Sequence, residues 1–279
     1  MAGTLRALGS VPGVHELELC CMTVRQASLP ELIAVAGAHG FGAVTTTPWL
    51  YEKAGVPDRE LRRLLDAHGV RVSYVDGLVT ALPGTPPPRA GTATEEDCYR
   101  IASAVGATAV NVVHIDGSPT PLEDLAAALG PLCGRAAARG LRIVVEFLPG
   151  TGIPDVATAS ELVRAVGAAN LGICLDSWHL ARSGGAVEDV DPATVGAVQL
   201  SDRTRAQDRE PYVPMSGRLL PGDGQLPLEA LVARVLGPRP DLPAGIEVIS
   251  DEMRATPASM AAATAGAALR ALLERGGCG

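Results

Sequence analysis

Short apolar runs alternate with helical patterns along the whole chain. Eight runs read as strands, at residues 16–20, 43–46, 70–75, 109–114, 141–146, 171–176, 196–200 and 245–249. Most are continuously apolar, as strands covered on both faces are. Helical spacing fills the gaps at 29–38, 59–67, 122–139, 158–166, 228–236 and 257–274. A further helix opens at Thr94, with Asp97 three residues on as a capping signal. Gly40, Gly69, Gly106 and Gly140 follow helices where a left-handed cap is needed. Thr256 suits the N-cap of the last helix and Pro257 its first position. Residues 49–55 read as a solvated loop, and 83–91, with Pro86, Pro87 and Pro88, as a stiff one. Gly184 and Gly185 make 181–194 a poor helix, and 201–225 is a long polar connection.

Strand–helix units repeated in one direction predict an α/β fold, a single (β/α)8 TIM barrel over residues 1–279. The length fits one such domain, and no linker divides it. The alternative is an open, doubly wound sheet. That fold favours a glycine-rich loop after its first strand, and Cys20-Cys21-Met22-Thr23-Val24 contains no glycine.

In a barrel, the C-terminal strand ends share one cavity. Four consecutive ends carry oxygen there: Val145-Glu146-Phe147, Leu175-Asp176-Ser177, Val198-Gln199-Leu200 and Ile246-Glu247-Val248. A bare carboxylate at the end of a buried run is costly. A shared divalent cation is the simplest way to keep three carboxylates and an amide oxygen together. Hard oxygen donors of this kind suit Mn²⁺ or Mg²⁺. Zn²⁺ and Co²⁺ stay open, though no thiolate and little imidazole favour zinc. No organic cofactor is expected.

Histidines extend this picture. His39 and His68 sit in Ala-His-Gly turns and His15 begins the first strand, so all three read as structural. His179, three residues after Asp176, reads as catalytic or substrate-binding. His114, ending the fourth strand, is a candidate for substrate. Trp49, Trp178 and Tyr212 are candidates for an apolar wall, or for packing.

Composition removes several classes. Lys53 is the single lysine, beside 22 arginines, which argues against Schiff-base chemistry. A net charge of −8 argues against a nucleic-acid partner. The Ala-rich stretch 261–273 is broken by Arg270 and reads as a packed helix, so no membrane span is expected. Its apolar face has two uses, packing on the barrel or on a second copy in a homo-oligomer. Six cysteines without a CxxC spacing, and residues 1–13 without a secretory pattern, lead to the expectation of reduced thiols in the cytoplasm.

The chain resembles the xylose isomerase-like TIM barrels, the sugar phosphate isomerase/epimerase superfamily that includes endonuclease IV-like enzymes. The similarity covers most of the chain. It is clearest in Val145-Glu146-Phe147-Leu148-Pro149, Leu175-Asp176-Ser177-Trp178-His179, Val198-Gln199-Leu200-Ser201-Asp202, Arg218-Leu219-Leu220-Pro221-Gly222-Asp223-Gly224 and Ile246-Glu247-Val248-Ile249-Ser250-Asp251-Glu252. The resemblance implies that Glu146, Asp176, Gln199 and Glu247 hold one divalent metal. It also implies that His179 and Arg218 contact a small-molecule substrate.

Many members carry His where this chain has Gln199. The glutamine looks like the 3-dehydroshikimate dehydratase branch. Endonuclease IV fits poorly, because its histidine-rich trinuclear zinc site has no counterpart here. The expected reaction is proton abstraction next to a carbonyl of a small polyol or cyclic hydroxy-ketone, with the enediolate stabilised by the metal. Glu146 and Glu247 are the candidate bases for isomerisation or epimerisation. Dehydration, with His179 or His114 as acid or base, is the alternative reaction. A metal-containing binding protein without turnover is the alternative class.

Overall fold

In the computed structural model, residues 15–85, 89, 91–117 and 119–279 are described. The segment 1–14, Pro86–Pro88 of the stiff loop, Ala90 and Ser118 lie outside them. Eight strands appear: β1 (Leu17–Leu19), β2 (Ala43–Thr46), β3 (Arg71–Leu78), β4 (Ala109–Val113), β5 (Arg142–Glu146), β6 (Leu171–Asp176), β7 (Val195–Gln199) and β8 (Ala244–Ile246). All pairings are parallel, in the order β7-β6-β5-β4-β3-β2-β1-β8. Leu200, just beyond β7, closes the ring. Its N–H donates to the Gly245 carbonyl at 2.9 Å, and its own carbonyl accepts from Glu247 N–H at 2.9 Å. The expected (β/α)8 barrel is therefore what this sequence adopts, and the open sheet is excluded.

The helices are α1 (Leu29–Ala38), α2 (Pro48–Ala54), α3 (Asp58–His68), α4 (Glu95–Val105), α5 (Leu122–Ala137), α6 (Val156–Val166), α7 (Ser177–Arg182), α8 (Leu228–Val235), α9 (Asp251–Ala255) and α10 (Ala258–Arg275). The caps follow elementary chemistry. Thr94 accepts from the Asp97 N–H while Asp97 accepts from the Thr94 N–H, a reciprocal capping box on α4. Gly69 and Gly106 end α3 and α4 with φ of +63° and +73°. The apolar side of α10, including Ala261, Ala265, Leu269 and Leu272, is buried within the chain. That decides between the two uses expected for this face. Among the described residues, no helix is long and apolar enough to cross a membrane.

Two local expectations are corrected. Residues 49–55 are not a loop: α2 forms because Thr47 accepts from the Leu50 N–H at 3.0 Å and Pro48 sits in the first turn. The third strand does not stop before Asp76. β3 runs on to Leu78, with a register shift against β4 between Asp76 and Leu78. That extension carries Asp76 into the mouth.

Two apolar clusters divide the labour. The large one fills the space between strands and helices. The small one lies inside the barrel and contains Tyr74, Ala109, Val144, Cys174 and Ala197. Gly172 and Gly196 pack so closely that a Cβ on Gly172 would stand 2.9 Å from the Gly196 Cα. Each fully buried Leu or Val contributes about 1.5–3 kcal/mol. Stability therefore rests mainly on the outer layer, which leaves the interior free to hold polar side chains above the small cluster.

Candidate active site at the mouth of the barrel

Glu146 and Asp176 end β5 and β6, and Glu247 follows β8 directly. Asp176 is fixed by the chain itself, since its Oδ1 caps α7 by accepting from the Trp178 N–H at 2.7 Å. Its Oδ2 is buried 2.8 Å from Arg218 Nη1 and 3.4 Å from His179 Nε2. The Arg218 guanidinium is fully buried and also reaches Glu247 Oε2 at 2.6 Å. Its Nη2 donates to the Pro214 carbonyl at 3.2 Å. The preceding loop delivers Arg218 because Asp202 and Leu219 pair as an antiparallel bridge. Asp202 Oδ2 also accepts from the Gly222 and Gly224 N–H groups and so anchors the Pro221–Gly224 turn.

His179, from α7, brings its Nε2 within 3.1 Å of Glu146 Oε1. Its Nδ1 lies 2.8 Å from the Tyr212 hydroxyl. Burial pushes the Tyr212 phenol far up, so it keeps its proton. A phenol that donates to Nδ1 leaves the Nε2 proton facing Glu146. Glu146 Oε2 accepts from Asn111 Nδ2 at 2.7 Å, and the same amide nitrogen donates to Asp76 Oδ1 at 2.8 Å. Burial, then the neighbouring Glu146 charge, raises the Asp76 carboxyl to about 7. Burial also drives Glu247 well above the usual carboxylate range, with Arg218 pulling the other way.

Gln199 Nε2 donates to the Tyr74 hydroxyl at 3.1 Å and to Glu247 Oε1 at 3.3 Å. Those contacts orient the amide, and its Oε1 is buried with no partner. Ligand atoms of Glu146, Asp176 and His179 lie within 4.8 Å of one another. An orphaned amide oxygen beside three carboxylates is the donor chemistry a hard dication needs, so these residues fit such an ion.

The structure thus gathers Glu146, Asp176, His179, Gln199, Arg218 and Glu247 at one place. Three other candidates fall elsewhere. His114 is fully buried, with Nε2 donating to the Pro83 carbonyl at 3.0 Å and Nδ1 accepting from the Gly152 N–H at 3.2 Å. Both ring nitrogens are committed to backbone, so His114 braces two loops and has none left for substrate. Trp178 is buried with Arg182 over its ring, 5.6 Å from the centroid, and packs behind the site. Trp49 stands on the rim and is 62% exposed.

Sequence reasoning missed Asp76, Asn111 and Tyr74. A signal existed for Asp76, because Val75-Asp76-Gly77 repeats the apolar-then-carboxylate pattern of the other strand ends. Asn111 was visible as the one polar residue within the run 109–113.

A parallel barrel with a buried, oxygen-rich centre at its C-terminal mouth is an enzyme-like scaffold. A model of the xylose isomerase-like TIM barrel family matches residues 31–273, and the chain belongs to that family. It is 33% identical over 165 residues to the 3-dehydroshikimate dehydratase of Pseudomonas aeruginosa, covering 58% of this chain but only 25% of that protein. It is 28% identical over 240 residues to a Streptomyces coelicolor protein that carries the name hydroxypyruvate isomerase, covering 74% of this chain and 80% of that one. The IolI protein, solved with a bound zinc atom, shares the fold with a TM-score of 0.79 at 18% identity, over 93% of this chain and 98% of that one.

Proposed function

We propose that this protein is a divalent-metal-dependent isomerase or epimerase that removes a proton next to the carbonyl of a small polyhydroxylated substrate. The observation that carries the reading is the facing of Glu146 and Glu247, from two separate strands, into one cavity of about 290 Å³ that also holds His179 and Arg218. Glu146, Asp176, Gln199 and Glu247 would hold the ion, with Mn²⁺ or Mg²⁺ suiting their oxygens best. When bound, the metal polarises the carbonyl and offsets the charge that develops as the proton leaves.

The chain's own groups do the rest. Arg218 supplies a fixed positive charge beside Asp176 and Glu247. Asn111 holds Glu146 Oε2, so Oε1 is the oxygen left to take a proton or to accept from His179. If one glutamate removes the proton and the other returns it on the opposite face, the product is an epimer. Return to the neighbouring carbon gives the aldose–ketose isomer.

Dehydration is the second reading. The amide at Gln199 and the similarity to a dehydratase favour it. The two readings share their first step and part at the second, where loss of a β-hydroxyl produces a conjugated, ultraviolet-absorbing product.

The test is solvent exchange. Ketoses, inosose-type cyclitols and dehydroshikimate are incubated with the Mn²⁺-loaded protein in D₂O, and deuterium next to the carbonyl is followed by NMR. At least one substrate is expected to exchange, and Glu146→Gln and Glu247→Gln should each slow exchange by ~10²–10⁴-fold and weaken Mn²⁺ binding. An unchanged rate in either variant removes that residue from the mechanism. Absence of exchange across the whole panel favours a binding protein.

A further inference from the structure

A second cavity, of about 410 Å³, adjoins the reaction cavity. Met22, Thr47, Asp76 and Gly77 border both, so the two are continuous there. Their electrostatics differ. The reaction cavity is walled by Asp76, Glu146 and Glu247, with Asp176 behind Arg218. The second cavity has Asp76 at its junction, and Arg25 and Trp49 line it farther out.

Arg25 is exposed, and among the described residues its side chain has no ion pair or hydrogen bond. Lys53, the chain's single lysine, places its Nζ 4.5 Å from the Trp49 ring centroid. Among the described residues of a protein of net charge −8, neither cation has an acidic partner; Lys53 rests on the exposed Trp49 ring, and Arg25 lines the same cavity as Trp49. At about 290 Å³ the reaction cavity sits at the small end of ligand sites, which run from roughly 300 to 1,000 Å³. A substrate longer than this cavity extends past Asp76 into the second one.

We propose that this groove is a second subsite, which binds an anionic group at the far end of the substrate. The group is a carboxylate or a phosphate, with Arg25 as its counter-charge and the Trp49 ring as an apolar rest for the adjoining carbons. Asp76 gives one oxygen to Asn111. Its other oxygen accepts from a substrate hydroxyl at the junction. Arg25 in the groove attracts an anionic end. With the carbonyl end held in the reaction cavity, the anion points outward. This assignment rests on the proposed function for the identity of the inner end, but the groove's preference for anions does not need it.

Three probes separate the sources of the chemistry: quinate (carboxylate), myo-inositol 1-phosphate (phosphate) and myo-inositol (neutral). Each is titrated calorimetrically into the whole protein, with and without Mn²⁺. At least one anion is expected to bind about tenfold more tightly than myo-inositol, as one charge-assisted contact supplies. Arg25→Gln should erase that preference while leaving Mn²⁺ affinity unchanged, and Trp49→Ala should weaken all three probes. Whichever anion binds more tightly identifies the group. The proposal is overturned if myo-inositol binds as tightly as both anions, or if Arg25→Gln keeps the preference. Failure to take up Mn²⁺, with the anion preference intact, counts against the proposed function and leaves the groove standing.

Discussion

The two ends of the barrel interior both bury acids, and they treat them differently. At the mouth, Asp176 and Glu247 share the Arg218 guanidinium, and Glu146 is held by Asn111 and His179. At the base, Glu18 stands on β1 with 2% of its surface exposed. The nearby Arg71 guanidinium is occupied elsewhere, donating to both carboxylate oxygens of Glu16. Burial therefore raises Glu18 to about 7, despite a hydrogen bond with Ser73. The lesson is that burial alone does not make an acid functional. At the mouth several acids gather around one buried guanidinium, whereas the acid at the base has no cation of its own.

The largest test of that contrast is Arg218→Met. It leaves the buried carboxylates without their fixed cation, and unfolding free energy in urea at pH 7 should fall by about 3–5 kcal/mol. Added Mn²⁺ is expected to restore part of the loss, because a dication supplies the same neutralisation. A loss below about 1 kcal/mol would show that the mouth does not depend on Arg218.

Glu18→Gln tests the other end. A carboxyl raised from 4.5 to about 7 on folding contributes stability that is complete below pH 4.5 and is lost as pH rises toward 7. That difference corresponds to about 3 kcal/mol. The glutamine variant should therefore gain on the parent by that amount between pH 4.5 and pH 8, with Mn²⁺ affinity unchanged. Parallel stability curves for the two proteins over this range would mean that Glu18 ionises as freely as it does in water.

The smallest expected effect concerns His114, buried near the mouth yet bonded only to backbone. His114→Phe should cost about 1–3 kcal/mol through the orphaned Gly152 N–H and Pro83 carbonyl. Deuterium exchange per folded molecule should stay as in the parent. A selective loss of exchange would return His114 to the site.

The strand ends at Glu146, Asp176, Gln199 and Glu247 were legible because each closes an apolar run, and a barrel sends all such ends to one cavity. Arg218 was legible only through its family motif, since nothing in the polar connection 201–225 says that its guanidinium turns inward. Asp76 was hidden by ending the third strand too early, and the register shift that extends β3 is a property of the β3–β4 pairing. His114 read as a substrate-binding candidate because a strand-end histidine and a loop brace look alike until both loops are in place.

The sequence by itself determined the barrel and four of the oxygen-bearing side chains at its mouth, because burial periodicity and chain direction are local properties summed along the chain. Only the tertiary structure decided which atoms pair. It set Arg218 between Asp176 and Glu247, and Asn111 between Asp76 and Glu146, left Gln199 Oε1 unpartnered, and joined two cavities at Asp76. The physical reason is range. These contacts link residues roughly 30 to 40 apart in the chain, and their geometry depends on loop paths and strand register that no short stretch of sequence encodes.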